Sequence, residues 1–255
     1  MRVPTEVADL GCLRLAWTYL DAKRYVLLSG CAEEVAWQNA VDFEGLTETG
    51  FLRETAWVIL NSGMRESVIR HLFADVSRAF LDWKSAQWIH ANHERCASTA
   101  LRCFKHKPKI TAILDIVSHV ARLGFQTVME NVRREGIAYM LRFPYIGPAT
   151  SLHLAKNIGL HTAKPDRHLC RMAGAVGCES PQAMCEHIAW MTGDSVPVVD
   201  LVLWRFATLR GDYLDVFASA IHAPPDCVHS ASPRGQRAVF LQSQGFEARS
   251  MPIVV

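Results

Sequence analysis

The chain has 255 residues, half of them hydrophobic and a fifth charged, with a formal net charge of +2. Domains run to about 100–200 residues, so this length suits one large domain or two modest ones. Seven Trp and eleven Phe are ample for a packed core, which excludes a disordered chain. No apolar run reaches the roughly 18–20 uncharged residues of a membrane helix, and the first residues lack the apolar segment of a secretory signal. A soluble protein with no membrane partner is expected.

Helical spacing of apolar residues dominates the chain. The only strand-like alternations are at 24–28 and 253–255. Helices are expected over 52–61 and 65–83, separated by the break Asn61-Ser62-Gly63-Met64-Arg65. His90 and His93 stand three apart on an apparent helix, but no third ligand accompanies them and no zinc site is assigned. Arg102, Lys105, Lys107 and Lys109, with His106 among them, form the densest basic run. That run reads either as a solvated loop or as a loop contacting phosphates. Further helices follow over 110–122, 125–132, 136–142, 148–157 and 167–175, then from Pro181, over 199–209 and over 213–221. Residues 224–255, punctuated by Pro, Ser and Gly, read as an irregular tail. The chain is expected to be mostly α. Its eight Cys contain no C-x-x-C spacing and lie mainly in apolar helical patterns, as thiols of a reduced, cytoplasmic protein do.

Residues 140–159 carry the strongest local signal. A helix ends before Pro144, a tight turn holds Ile146 and Gly147, and Pro148 opens the next helix with Thr150 and Ser151 in its first turn. The first amides of such a helix have no partner within it, and its dipole favours an anion, so a phosphate fits there. Lys156 adds positive charge on the same helix. Nineteen residues after Gly147 comes Asp166, just ahead of an apolar-periodic helix with Arg167, His168 and Arg171 beside it. By position alone Asp166 is a capping carboxylate, worth about 1 kcal/mol to that helix.

Together, F-P-Y-I-G-P-A-T-S and K-P-D-R-H-L-C-R resemble the helix-hairpin-helix DNA glycosylase superfamily, closely over about 140–175. Weaker similarity covers 54–65 and 199–205. The resemblance implies a two-lobed helical glycosylase fold. In it, 50–175 would contain the wedge loop, hairpin and catalytic Asp, while 1–49 with 176–223 would form the second lobe. It implies a monomer acting on double-stranded DNA that holds a damaged or modified base, in base excision repair or in defence against modified phage DNA.

Residue by residue, Asp166 would be the catalytic carboxylate, stabilising an oxocarbenium-like sugar and positioning water. Ile146, Gly147, Ala149, Thr150 and Lys156 would form the phosphate-binding hairpin. In the wedge region Asn61, Met64 and Arg65, Met64 or Asn61 would fill the gap left by the flipped base while Arg65 approaches a backbone phosphate; by sequence alone the segment reads equally as a helix break at Gly63. Trp204, Asp200, Tyr145 and His168 would line the base pocket, with Trp37, Trp57 and Trp88 as further aromatic candidates. The resemblance implies no resident cofactor beyond a monovalent cation at the hairpin, and the iron–sulfur spacing of some members is absent.

Two departures bear on the chemistry. Tyr145 stands where the family has its first hairpin Gly, and Ala149 stands where bifunctional members have a nucleophilic Lys. A monofunctional enzyme that leaves an abasic site is therefore expected. The alternatives are a lyase using Lys164, or a non-catalytic protein that grips DNA through the hairpin.

Overall fold

The computed structural model describes residues 6–222. The chain is mostly helical, and no strand occurs among the described residues. The strand expected at 24–28 is instead the end of α1 (Glu6–Val26) and the start of a π-helical turn, Leu27–Cys31. Leu13, Ala16, Tyr19, Ala22 and Val26 recur at three- and four-residue steps along α1 and are all buried. That continuous inward stripe overrides the short β-like pattern at its end. Gly30, at φ 86°, bends the chain into α2 (Ala32–Ala40).

The chain divides into two compact units. A central unit holds Ala36–Asp166, and a terminal unit holds what precedes and follows it. The divisions fall at 35/36 and 166/167, where the sequence reading placed them at 49/50 and 175/176. The tail expected at 224–255 lies outside the described residues.

In the terminal unit, α1 packs on α12 (Pro181–Thr192), α13 (Val196–Leu209) and α14 (Tyr213–His222), and α11 (Arg167–Ala175) packs on α14. Ser180 and Ser195 cap α12 and α13 by accepting the amides of Ala183 and Val198, with Pro181 and Pro197 in the first turns. The Tyr19 hydroxyl and the Lys23 ammonium both donate to Asp194, at 2.6 and 2.7 Å, and tie α1 to the turn between α12 and α13.

The central unit is built from α3 (Glu48–Asn61), α4 (Glu66–Ala79), α5 (Ala86–Ala91), α6 (His93–Cys103), α7 (Lys107–Leu123), α8 (Phe125–Glu135), α9 (Ile137–Met140) and α10 (Pro148–Asn157). Ile110, Ile113, Ile116, Val117 and Val120 make the buried stripe of α7, which packs on α3, α5 and α6. The helix expected over 65–83 stops at Ala79. Leu81, Asp82 and Trp83 follow with φ of 55°, 52° and 61°, a left-handed turn. It lays the Trp83 ring on Phe80 at 4.7 Å while the indole donates to Ser77 Oγ at 2.9 Å.

His90 and His93 lie on two helices rather than one. The buried Glu54 on α3 accepts from Asn157 Nδ2 on α10 at 2.9 Å, which anchors the second hairpin helix. Just beyond it Gly159, at φ 93°, passes so close to Phe43 that a Cβ would meet its backbone nitrogen at 2.5 Å. Only glycine fits there.

Candidate functional site

The hairpin begins with α9, whose last turn is continued by Phe143 N–H donating to Met140 C=O at 3.0 Å. Tyr145 takes the left-handed conformation, φ 65°, a region that favours glycine. An L-residue there costs about 1–2 kcal/mol. The turn keeps its shape nonetheless: Ile146 N–H donates to Phe143 C=O at 3.1 Å. Gly147 precedes α10 in an extended conformation, and its N–H donates to Thr150 Oγ1 at 2.8 Å.

These bonds correct part of the sequence reading. The amides of Ile146 and Gly147 are engaged inside the turn, and Ile146 is buried. The amides of Ala149 and Thr150 have no partner among the described residues. They are the donors the hairpin presents. Lys156 is 6% exposed and packs inward on α10, so it adds no surface charge there. The carbonyls of Phe143 and Gly147 accept from Ile146 and Ser151.

The turn between α3 and α4 carries Met64, 40% exposed, and the exposed Arg65. Asn61, at the end of α3, is half-buried and donates to Trp57 C=O at 3.1 Å. This turn is held from below by Lys109. Its ammonium donates to Leu60 C=O at 2.6 Å and to Ser62 C=O at 2.5 Å, and the residue is 2% exposed. Lys109 is therefore neither a solvated charge nor a phosphate contact. It satisfies carbonyls that the C-terminus of α3 would leave unpaired. Burial lowers its pKa from the ordinary lysine value.

The signal for this role was present in the register. Lys109 precedes Ile113 by four residues and Ile116 by seven, on the inward stripe of α7.

Lys105 and Lys107, the rest of that loop, are exposed. His106 caps α7 by accepting Lys109 N–H at 3.4 Å, stacks on Phe104 and meets the Tyr145 ring edge-on at 6.2 Å. The contacts 62–109, 109–106 and 106–145 bring the Met64 turn, the basic loop and the hairpin together on the central unit. Tyr145, exposed and set against His106, belongs to this surface rather than to a closed pocket.

Asp166 is half-buried, closes the central unit and immediately precedes α11. Its N–H donates to Lys164 C=O at 2.8 Å. Lys164 Nζ lies 3.4 Å from His153 Nδ1 on α10. His168, Asp200 and Trp204 belong to the terminal unit. His168 pairs with the Tyr213 hydroxyl at 3.1 Å, Asp200 is buried, and the Arg205 guanidinium lies 4.5 Å over the half-buried Trp204 ring.

Burial holds the His153 imidazole well below its usual pKa, and Lys164 and Lys156 add like charge. Unfolded chains protonate such a ring as pH falls through about 6.5, while the folded chain keeps it neutral. Stability present above that pH is therefore lost on acidification. The urea midpoint is expected to fall between about pH 7 and pH 5, and to fall less in His153→Gln. Equal falls in both proteins would remove His153 from this role.

Among the described residues, no group of three or more His, Cys, Asp or Glu is placed to hold a metal ion. Cys12, Cys31, Cys96, Cys103, Cys170, Cys178 and Cys185 are not disulfide-bonded. No described helix is long and apolar enough to cross a membrane. Comparison with protein-family models, curated proteins and solved structures finds no match to the chain.

Proposed function

We propose that the chain is a monofunctional helix-hairpin-helix DNA glycosylase, which flips out a damaged or modified base and hydrolyses its N-glycosidic bond. One observation carries the reading. The hairpin with its unpaired Ala149 and Thr150 amides, the exposed Lys105 and Lys107, and the Met64–Arg65 turn are linked by direct contacts on one unit. That unit ends at Asp166.

Each part has a chemical task. The Ala149 and Thr150 amides hold a backbone phosphate, with the dipole of α10 behind them. Lys105, Lys107 and Arg65 contact neighbouring phosphates and make binding salt-dependent. Met64 enters the stack when the target base leaves it, offsetting an unstacking cost of a few kcal/mol. The Asp166 carboxylate stabilises positive charge developing on the sugar and accepts a proton from the attacking water. Repair of damaged DNA and defence against modified phage DNA both fit this chemistry.

The test is a panel of duplexes carrying oxidised, alkylated, uracil and hypermodified bases, assayed for abasic sites by alkali cleavage. Alkali-labile sites are expected on at least one member, with no strand cut before alkali. Borohydride is expected to trap no covalent adduct. Ala149 has no amine, and the Lys164 ammonium is engaged by His153. A trapped adduct would reassign Lys164 as a nucleophile. Salt-sensitive binding with no abasic product on any member would overturn catalysis in favour of a non-catalytic DNA grip.

A further inference from the structure

A cleft of about 820 Å³ opens on the central unit, lined by α5, α7, α8, α9 and the turn after α9. Sites for small organic ligands have about this size, roughly 300–1,000 Å³. Along one wall, Asp115, His119 and Arg122 follow at four- and three-residue steps on α7, so they share a face. At 1.5 Å per residue, Arg122 stands about 10 Å along the axis from Asp115.

The two ends of the wall carry opposite charge. Asp115 is exposed, and its carboxylate has no partner among the described residues. Arg122 is exposed and reaches His119 Nδ1 at 3.4 Å through one nitrogen, which leaves most of its N–H donors available.

Between them, His119 Nε2 lies 2.8 Å from the hydroxyl of the buried Tyr139. Burial and Arg122 lower the pKa of His119, which favours a neutral ring. With Arg122 donating to Nδ1, the ring's own proton sits on Nε2 and is donated to the Tyr139 oxygen. The tyrosine proton is then free to meet an acceptor in the cleft. Tyr139 and Phe143, edge-on at 5.4 Å and both buried, form the base of the cleft, and the Arg142 guanidinium lies 5.5 Å over the Tyr139 ring.

We propose that this cleft binds one guanine nucleotide. A carboxylate accepts two parallel N–H bonds, and the guanine edge presents such a pair at N1 and the exocyclic amine. The far end of the same molecule is a phosphate, which a guanidinium binds. The sugar lies between the two ends of the wall, where the tyrosine hydroxyl donates to a sugar or phosphate oxygen. The nucleotide comes either free from solution or as an unstacked guanosine of a single strand. The inference does not depend on the glycosylase reading.

Calorimetric titration of the full chain tests it. 5′-GMP is expected to bind with Kd at or below about 1 mM. 5′-IMP, which lacks the exocyclic amine, is expected to bind about 10-fold more weakly. Arg122→Ala should weaken GMP by about 10-fold and weaken guanosine by less. Asp115→Asn should erase the preference for GMP over IMP. Both side chains are exposed, so both variants keep the fold. A guanine-containing trinucleotide that binds with the same dependence on both variants, when GMP does not, identifies a strand as the source. Failure of both probes to bind, or binding indifferent to both substitutions, overturns the site.

Discussion

The Asp166→Asn variant is expected to bind duplex DNA with wild-type salt dependence while releasing a modified base about 10³-fold more slowly. The two effects separate because different groups produce them. On the glycosylase reading, phosphate binding would rest on the Ala149 and Thr150 amides, Arg65, Lys105 and Lys107, none of which the substitution touches. Bond cleavage needs a negative charge beside the sugar as it becomes oxocarbenium-like, and a neutral amide supplies neither that charge nor a base for water. Asn is nearly isosteric and is also a good helix cap, so α11 should form as before and stability should change by less than about 1 kcal/mol. Single-turnover base release, paired with binding titrations at several salt concentrations, gives both numbers. Turnover within about 10-fold of wild type would show that Asp166 is a cap and no more. Loss of binding with turnover would place it in DNA contact instead.

The helices that bear the candidate site were legible because proline and periodicity agree there. Pro148 at the first position and the apolar steps beyond it predicted α10 to the residue, and α11 likewise. Turn chemistry was less legible. A left-handed run at Leu81–Trp83 contains no glycine to announce it, and Tyr145 hides the same conformation at the hairpin. Both are maintained by ring packing, against Phe80 in one case and His106 in the other. α1 went unmarked because its inward stripe includes small and polar-tipped residues, Ala16, Tyr19 and Ala22, whose burial depends on helices far along the chain. Burial of charge was the least legible. Lys105, Lys107 and Lys109 read as one basic run, yet the helix register sends only the last of them inward.

That inward lysine sets the second large expectation. Replacing Lys109 by Met keeps the length and apolar body of the side chain but removes the donor shared by Leu60 C=O and Ser62 C=O. Charge-assisted hydrogen bonds contribute about 1.5–3 kcal/mol each, and removing the cation also relieves its desolvation cost. The net loss is expected to be about 2–3 kcal/mol in urea unfolding. The local consequence is more diagnostic. Without the clamp, the turn carrying Met64 and Arg65 is no longer fixed to the start of α7, where His106 meets the hairpin through Tyr145. Amide exchange at Gly63 and Met64 should accelerate more than exchange in the cores of α3 and α7. Lys109→Arg retains a cation but puts a larger, planar group into the same buried space, so it should recover charge without recovering geometry. On the glycosylase reading, both variants keep the exposed phosphate contacts, so duplex affinity should fall by less than base release. The reason is that a loosened wedge must be ordered again each time a base leaves the stack. Unchanged exchange at Gly63 and Met64 in Lys109→Met would mean that the turn holds itself, and the lysine would then be only a buried charge satisfied by the nearest carbonyls.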